Sequence, residues 1–385
     1  MKILIFTEYF FPIPGGVQTI VFELARGLAE WGTSHPVGGH FEVTVVTRTR
    51  KRTAEDESWP FRLVRCPGFW RLLQLLRASD VIHLAGPAFL PLLMALLLAK
   101  PVVIEHHGFH AACPNGLLFF EPAQAPCPGH FMAKRYGQCL ACNRSAVGTL
   151  SSLYWLAMTP ARRWLSNRVA ANITPTNWLS GILKLNRTTT IYHGISNEKG
   201  SRTESSSSST FAFQGRFVTT KGADLLIEAV QILLKEHRDL DLKMIGDGPE
   251  LPILKSQIAD LDGHVKFLGH VADAEMNSVL SGAATVVMPS LGGEVFGLVA
   301  AENMMRGKLL IVSDIGALVE VVGDAGLVFP AKDAKALASC MRQVLENPTL
   351  APSLGAAARE RAMQIFNRDS MIQAHVRLYQ GAVHH

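Results

Sequence analysis

The sequence lacks a run of about 20 consecutive apolar residues, the length that a membrane-spanning helix requires. The longest candidate, residues 84–100, is short and carries two prolines, which favours a buried helix. The N-terminal stretch MKILIFTEYFFP lacks a small-residue cleavage site and contains Glu8, so it is typical of a first strand rather than a signal peptide. These absences predict a cytoplasmic protein.

Charged residues are also scarce, at 18% of 385 residues, whereas 48% are hydrophobic, which allows a large core and two domains of ordinary size. No acidic residue occurs between Glu121 and Glu198, although Lys and Arg are frequent there. Residues 1–197 contain 19 Lys and Arg against 10 Asp and Glu, a charge of +9, while residues 198–385 contain 18 against 22, a charge of −4. This asymmetry predicts that the first half faces something anionic.

Short apolar strands alternate with helical patterns in both halves of the chain. In the first half, we predict strands at 2–8, 41–48, 80–86, 101–107, 171–176 and 188–194. In the second half, we predict strands at 211–217, 240–248, 264–270, 284–290, 308–314 and 326–330. Continuous apolar strands separated by helices indicate parallel sheets covered on both faces, and therefore an α/β fold of two Rossmann-like, doubly wound domains.

The domain boundary is visible at residues 196–210, which lack apolar periodicity and contain five consecutive serines. We therefore predict a first domain at 1–197, a linker at 198–210 and a second domain at 211–366, with a C-terminal helix at 367–385 packing back on the first domain. A hinge between two such domains leaves a cleft. Ligands bind beyond the C-terminal ends of strands in these sheets, so we expect the ligand-binding motifs at those strand ends.

The first motif is PSLGGEVFGLVAAENMMRGK (289–308), in which a strand leads through two glycines into a helix predicted from Val295 onwards, with Glu302 about two turns into it. The N-terminus of a helix offers unpaired N–H groups to a phosphate, and Gly292 and Gly293 allow close approach of the backbone. Glu294 and Glu302 would accept hydrogen bonds from sugar hydroxyls at different parts of one ligand. The alternative is that Glu294 only complements the helix dipole and Glu302 is solvated.

The second motif is FQGRFVTTKGADLLIEAV (213–230), with Arg216 at a strand end and Lys221 at a helix start. Cations near a helix N-terminus are disfavoured by the helix dipole. No acid lies between Glu204 and Asp224 to compensate, so a bound anion such as a diphosphate would resolve the conflict. A solvated loop pair is the alternative.

Together these motifs resemble those of the retaining glycosyltransferases of family 4, which have the GT-B architecture of two Rossmann-like domains facing across a cleft. The resemblance covers essentially the whole chain. It includes two glutamates separated by seven residues, and it rests on the segments PGGVQ (14–18), GRFVTTKG (215–222), IGDGPEL (245–251), HVKFLGHV (264–271), the 289–308 segment and SDIGALVEVVGDAGLVF (313–329).

This resemblance implies a role for each matching residue. Arg216 and Lys221 would neutralise the diphosphate of the donor, a UDP- or GDP-sugar. Glu294 would face the hydroxyls of the donor sugar, and Glu302 would hold the ribose. Backbone N–H groups and close backbone approach would come from Gly15, Gly16, Val295, Phe296, Gly297 and Leu298.

The resemblance further implies transfer with retention, without a metal or any other catalytic cofactor, because the diphosphate itself is thought to take the proton of the acceptor. The positive groups would then replace the charge stabilisation that a metal gives elsewhere. The D-x-D triplet Asp239-Leu240-Asp241 precedes its strand and is interpreted as a polar turn.

Four histidines lie at strand ends of the first half. Similar enzymes place a histidine where PVVIEHHGFH (101–110) ends, and His107, followed by a glycine, fits that position better than His106. His83 could line the acceptor side. His193 stands where relatives usually carry asparagine, so no contact is carried over to it. A structural role stays open for His83, His106 and His107.

Cys113, Cys127, Cys139 and Cys142 form the pattern C-x13-C-x11-C-x2-C. Four thiolates with one C-x2-C pair would suit a tetrahedral structural zinc. Free or redox-sensitive thiols and disulfides are the alternatives, although a cytosolic chain rarely keeps disulfides.

The stretch 151–170 combines Trp155 and Trp164 with three arginines and no acid, a composition that suits an anionic lipid surface. Pro160 would interrupt a single long amphipathic helix there. We predict that the first domain docks peripherally on the inner membrane face, with a solvated basic face as the alternative. No nucleic-acid-binding motif is present.

The sequence therefore predicts a hexosyltransferase that acts on a glycan or lipid-linked acceptor in bacterial-type cell-surface polysaccharide or glycolipid synthesis. One alternative is a sugar-nucleotide epimerase on the same fold, whose acid and base carboxylates we could not locate. The other is a catalytically silent sugar-nucleotide-binding subunit, against which the intact Arg216, Lys221, Glu294 and Glu302 argue.

Overall fold

The computed structural model describes residues 1–34, 40–196, 209–237, 239–258, 261 and 263–383. The predicted linker, 198–210, lies outside these residues except for its last two positions. Within the described parts of the chain, no helix is both long and apolar enough to cross a membrane.

Strands and helices alternate along the chain. The strands are β1 Lys2–Thr7, β2 Glu42–Thr47, β3 Arg62–Arg65, β4 Val81–Ala85, β5 Val102–Glu105, β6 Phe119–Phe120, β7 Ala125–Pro126, β8 Ala171–Thr174, β9 Thr188–Thr190, β10 Thr210–Gln214, β11 Asp241–Ile245, β12 Val265–Gly269, β13 Thr285–Met288, β14 Leu309–Ser313 and β15 Gly326–Phe329. The α-helices are α1 Gly16–Ser34, α2 Phe69–Ala78, α3 Phe89–Leu97, α4 Tyr136–Ser166, α5 Asn177–Leu183, α6 Ala223–Leu233, α7 Leu251–Gln257, α8 Asp273–Ser281, α9 Leu298–Met305, α10 Ala317–Val322, α11 Ala334–Glu346, α12 Leu350–Ile365 and α13 Arg368–Val383.

The chain divides into two compact units. The first comprises Met1–Leu118, Pro128–Gly194 and Arg368–His385, so that α13 belongs to it. The second comprises Phe119–Cys127 and Ile195–Asn367. Each unit is an α/β domain around one parallel sheet, as the alternating pattern predicted.

The sheet of the first unit has the strand order β3-β2-β1-β4-β5-β8-β9 among the described residues, and all its pairs are parallel. Its central strands are buried because helices cover both faces. One face packs with α1 and α13 around residues such as Ile5, Val103 and Tyr379. The other packs with α2 and α3 around residues such as Leu4 and Ile104.

The sheet of the second unit has the order β12-β11-β10-β13-β14-β15, also with parallel pairs. Counted within this unit, the order is 3-2-1-4-5-6, that of a Rossmann fold. The order reverses between β10 and β13, whose Ala212 and Val286 are register partners. Ligands of such sheets bind where the strand order reverses, so the loops after β10 and β13 form the expected site.

Two helices differ from the sequence prediction. Helix α4 continues through Pro160 to Ser166, and its backbone departs from helical geometry at Gly148 instead, with φ 76° and ψ 170°. Helix α9 begins at Leu298 rather than near Val295, because Gly297 before it is in the left-handed conformation (φ 91°). Glu302 therefore lies about one turn into the helix, not two.

Candidate functional site

The loops after β10 and β13 lie against each other in the second unit. The backbone N–H of Leu291 donates to the carbonyl oxygen of Thr220 at 2.8 Å. Gly222 has φ 65°, and a Cβ at that position would lie 2.1 Å from the carbonyl oxygen of Pro289. The contact between the two loops therefore requires glycine at position 222.

This contact joins two of the residues that the sequence singled out. Lys221 ends a 3₁₀ turn, Thr219–Lys221, and its Nζ donates to Oε1 of Glu294. The Lys221 side chain is 31% exposed and that of Glu294 is 10% exposed. Ser290 Oγ donates to the same carboxylate oxygen at 3.1 Å. A cation and an anion thus face each other at the ends of two neighbouring strands.

Arg216 follows β10 by two residues and is exposed. Within the described residues, no hydrogen bond or ion pair engages its guanidinium. An exposed guanidinium next to the Lys221 turn could bind an oxyanion in bidentate fashion.

Glu302 is half-buried on α9. Burial lowers the pKa of the Arg306 guanidinium, and the nearby Glu302 carboxylate partly opposes this effect. The next residue, Asn303, donates from Nδ2 to Oε1 of Gln214 at 2.9 Å. Gln214 is the last residue of β10, so α9 is fixed to the strand that leads to Arg216. Phe296 is buried before α9 and packs edge-to-face on Phe366, with ring centroids 5.3 Å apart.

In the first unit, Gly15 is exposed and Gly16 is the first residue of α1. The glycine pair therefore stands where the loop after β1 enters a helix of 19 residues, as the sequence predicted. Unpaired N–H groups at such a helix start can donate hydrogen bonds to a phosphate oxygen.

The histidines of the first unit surround a carboxylate that the sequence analysis did not single out. Glu105, the last residue of β5, is completely buried. The imidazole nitrogen nearest to its carboxylate lies at 3.3 Å for His83, 3.6 Å for His107, 3.4 Å for His193 and 3.8 Å for His375.

The other histidine of the pair, His106, has a structural partner. Its Nε2 lies 2.8 Å from Oδ1 of Asn172, and the Asn172 amide donates to the carbonyl oxygens of Ser166 and Asn186 at 2.9 Å each. Since Oδ1 can only accept, His106 Nε2 carries the proton. Of the two candidates, His107 is the one that reaches Glu105.

Burial sets the charge of these groups. It lowers the pKa of His83 and His107, of His106 to about 4, and of His193 to about 3. Burial by itself would raise the pKa of Glu105, but the neighbouring His107, His375 and His83 outweigh it and lower that pKa well below its usual range. The cluster therefore holds an ionised carboxylate beside His83, His107 and His193, whose pKa values burial lowers.

Two groups of three side chains could hold a metal ion in the described part of the chain. They are His83, Glu105 and His375, and Glu105, His107 and His193, with donor atoms within 4.8 Å of one another in each group. Neither includes a cysteine, and Cys127 belongs to the other unit from Cys113, Cys139 and Cys142. The predicted four-cysteine zinc site is therefore not supported.

Only part of the basic stretch 151–170 is exposed on the surface. Arg163 is turned inward and donates to the carbonyl oxygens of Leu183 and Lys184 at 2.6 and 2.9 Å. Arg168 is exposed, and its guanidinium lies 3.4 Å from the ring centroid of Trp164. Large side chains on α4 are exposed as well, namely Leu150 (84%), Leu153 (47%), Tyr154 (58%) and Trp164 (55%).

Comparison with known proteins agrees with this fold and arrangement. The model of the family "Glycosyltransferase Family 4" matches residues 14–199, and that of "Glycosyl transferases group 1" matches residues 195–361. The two matches together span nearly the whole chain, and the chain belongs to the family-4 glycosyltransferases.

Individual relatives match over shorter stretches. The phosphatidyl-myo-inositol mannosyltransferase of Mycolicibacterium smegmatis is 37% identical over 155 residues, which are 40% of this chain and 40% of that protein. The D-rhamnosyltransferase WbpZ of Pseudomonas aeruginosa is 34% identical over 161 residues, 40% of this chain and 41% of that protein. The matched stretch thus spans about two fifths of each relative's length.

Among solved structures, Anabaena HepE in complex with UDP and glucose superposes with a TM-score of 0.72 at 18% identity, over 99% of this chain and all of that chain. At this identity the likeness shows the fold alone. It establishes the GT-B architecture that the motifs implied.

Proposed function

We propose that this protein is a retaining glycosyltransferase that moves a hexose from a nucleotide-diphosphate sugar to a glycan or lipid-linked acceptor. The observation that carries the proposal is the pairing of Lys221 with Glu294, at the point where the strand order of the second unit reverses. A donor sugar would meet a cation for its phosphates and a carboxylate for its hydroxyls side by side.

In this proposal, Lys221 and Arg216 bind the diphosphate of the donor. Its oxyanions compete with Glu294 for the Lys221 ammonium, and the released carboxylate accepts hydrogen bonds from the sugar hydroxyls. Glu302, on α9, accepts from the ribose. The backbone N–H groups from Val295 to Leu298 and the turn at Gly15 and Gly16 complete the donor contacts. The UDP bound to HepE supports a UDP-sugar as the donor, with a GDP-sugar as the alternative.

Transfer is proposed to need neither a protein nucleophile nor a metal. The bond between the anomeric carbon and the diphosphate oxygen breaks, and the acceptor oxygen bonds to the same face of that carbon. The acceptor proton passes to the leaving diphosphate, so atoms and charges balance. Lys221 and Arg216 stabilise the charge that develops on the leaving group. His107 would contact the donor sugar and the acceptor.

The acceptor is proposed to be lipid-linked and reached from the inner membrane face. The exposed Leu150, Tyr154 and Trp164 on α4, followed by the exposed Arg168, supply apolar and basic groups that suit an anionic lipid surface. The mannosyltransferase relative is named for a phosphatidylinositol lipid, and WbpZ for a D-rhamnosyl transfer. These names support synthesis of a glycolipid or a cell-surface polysaccharide.

Incubation with a panel of UDP-, GDP- and ADP-sugars, with and without a chelator, tests this function. We expect release of the nucleoside diphosphate from one of them, undiminished by the chelator, and a product whose anomeric configuration by NMR equals that of the donor. An isomerised sugar nucleotide would instead identify an epimerase. Binding without turnover, with glycolipid acceptors present, would identify a silent binding subunit.

A further inference from the structure

The Glu105 cluster contains buried donor atoms that nothing in the described structure satisfies. Both carboxylate oxygens of Glu105 and the Nε2 atoms of His83, His107 and His375 are buried without a hydrogen-bond partner among the described residues. His83, Glu105 and His375 are each completely buried. A carboxylate this deeply buried needs positive charge or hydrogen-bond donors beside it. A cation bound where these polar atoms converge would satisfy both the carboxylate oxygens and the imidazole nitrogens.

The fold brings these side chains together from three elements. His83 of β4 is the register partner of Val103 of β5, and Glu105 lies two residues beyond Val103. Because side chains two apart on a strand share a face, His83 and Glu105 project to the same side of the sheet. Helix α13 covers that side, and there it contributes His375 and Tyr379 to the same packed region.

The donor atoms lie farther apart than in good hydrogen bonds and close enough together to share one metal ion. Glu105 Oε2 lies 3.3 Å from His83 Nε2 and 3.8 Å from His375 Nε2, and the three donor atoms of this group lie within 4.8 Å of one another. Two ligands that are each about 2.0–2.1 Å from a tetrahedral zinc ion lie about 3.3–3.4 Å apart. Good hydrogen bonds between N and O are about 2.7–3.2 Å long.

The hydrogen bond on the far side of His375 fixes its ring. His375 Nδ1 lies 2.9 Å from the carbonyl oxygen of Met371. A carbonyl oxygen only accepts, so Nδ1 carries a proton, which leaves Nε2 as the ring nitrogen that can bind an ion beside Glu105.

His83 is held in a similar way. Its Nδ1 lies 2.8 Å from the hydroxyl of Tyr379. A metal-bound imidazole usually has its second nitrogen hydrogen-bonded to a carbonyl, carboxylate or water, which orients the ring. The carbonyl of Met371 and the hydroxyl of Tyr379 occupy these outer positions for His375 and His83.

We propose that His83, Glu105 and His375 bind a divalent first-row transition ion, zinc before others, that ties α13 to the sheet of the first unit. Two imidazoles and one carboxylate suit such an ion, whereas the all-oxygen sites of Ca²⁺ and Mg²⁺ do not resemble this group. The ion is structural and takes no part in the transfer step. The second group, with His107 and His193, shares Glu105 but is left out because His107 is proposed to contact the donor.

Metal analysis of the purified full-length chain, after dialysis against metal-free buffer and one equivalent of zinc, is the primary test. We expect about one ion per chain in the wild type, and less than a tenth of that in His83→Gln and His375→Gln. His264→Gln in the second unit is the matched control and should keep the ion. A Cys139→Ser/Cys142→Ser variant should keep it too, which separates this site from a thiolate site.

Two measurements do not depend on the folding of a variant. X-ray absorption of the wild-type protein should show nitrogen and oxygen ligands at about 2.0–2.1 Å and no sulfur at about 2.3 Å. A strong chelator should lower the melting temperature of the wild type by several degrees, and zinc should restore it. A wild type that binds no zinc, or that binds it through sulfur, would overturn the proposal, as would a melting temperature that ignores both chelator and zinc.

Discussion

Lys221 and Glu294 are 73 residues apart in the sequence, yet they form an ion pair at the ends of two neighbouring strands. The pair neutralises both groups before any donor binds. When a diphosphate sugar binds, Lys221 would exchange Glu294 for a phosphate oxygen, and Glu294 would exchange Lys221 for sugar hydroxyls. Because both groups are already paired, binding would require little additional desolvation of charge. Under the proposed function, the pair would therefore link the phosphate end of the donor to its sugar end.

Replacement of the lysine tests this link. Lys221→Ala removes the positive charge from the leaving group, and we expect kcat to fall roughly 10²–10³-fold, the usual loss for a group that stabilises transition-state charge. The melting temperature should fall by only a few degrees, because Glu294 keeps its hydrogen bond from Ser290. Steady-state kinetics and a thermal melt measure both.

The matched control is Lys255→Ala, which removes an exposed lysine of the same unit. It should leave kcat and the melting temperature unchanged. Full turnover in Lys221→Ala would contradict the role at the leaving group. A melting temperature that falls as far as the activity would mean that the lysine holds the loops together instead.

Replacement of the second glutamate separates nucleotide binding from chemistry. Glu302→Ala removes the acceptor proposed for the ribose hydroxyls, and a charge-assisted hydrogen bond contributes about 1.5–3 kcal/mol. The Kd of the free nucleoside diphosphate should therefore rise about 10–100-fold, as measured by titration calorimetry. Glu275→Ala, an exposed glutamate on α8, is the control and should not change it. An unaltered Kd in Glu302→Ala would exclude the ribose contact.

The sequence predicted the main strands of the two sheets better than the edge strand β3 and the start of helix α9. The twelve predicted strands are all present, and most of them are buried apolar runs, as is usual for parallel strands covered on both faces. The edge strand β3 was missed, since arginines at 62 and 65 interrupt its apolar pattern. The start of α9 was placed too early, because Gly297 adopts the left-handed conformation and the helix begins only after it.

In the candidate site, too, the local motifs were predicted, whereas a contact between distant residues was missed. Motifs of local sequence pointed to Lys221 and Glu294, and the sheet order places their loops side by side. The Glu105 cluster was missed because His375 is 270 residues away and joins it only when α13 packs on the sheet. Local sequence offered the carboxylate in an otherwise apolar strand and the histidines His83, His107 and His193, but it did not show that they meet.

Gly222, where the loops after β10 and β13 touch, is predicted not to tolerate a side chain. Gly222→Ala places a Cβ 2.1 Å from the carbonyl oxygen of Pro289, in a left-handed backbone that costs alanine about 1–2 kcal/mol by itself. We expect lower stability and loss of turnover, because the Lys221 turn must move away from Glu294. Denaturant unfolding and donor turnover measure these effects.

Gly181→Ala is the control for that substitution. Gly181 lies in α5, and a Cβ there meets no atom within 4 Å. Alanine favours a helix over glycine by up to about 1 kcal/mol, so stability should stay equal or rise. Equal stability of Gly222→Ala and the wild type would show that the two loops can separate without cost.

Membrane docking is tested on the exposed side chains of α4. Sedimentation with vesicles that contain anionic lipid should retain the wild type, and a Leu150→Ser/Trp164→Ser variant should bind several-fold more weakly. Ile253→Ser, which removes a 60% exposed side chain from the second unit, is the control. Binding that is indifferent to the anionic lipid content would count against this surface.

Acid should weaken the first unit through Asp56. Arg65 holds this carboxylate with two hydrogen bonds of 2.7 Å, from Nε to Oδ2 and from Nη2 to Oδ1, and Thr53 adds further ones. Mainly because of the Arg65 hydrogen bonds, which outweigh burial, the pKa of Asp56 is lowered from 3.8 to about 2.

A carboxyl group whose pKa is lower in the folded state stabilises the fold above its unfolded pKa of about 3.9. That contribution should be lost as the pH falls from about 4 towards 2, because the unfolded chain then binds the proton more readily. Asp56→Asn should unfold more easily than the wild type at pH 7, and the difference should shrink between pH 4 and pH 2. Glu57→Gln, at an exposed neighbouring position, should show no such convergence in urea unfolding. A constant difference between wild type and Asp56→Asn across this range would mean that the carboxylate charge does not stabilise the unit.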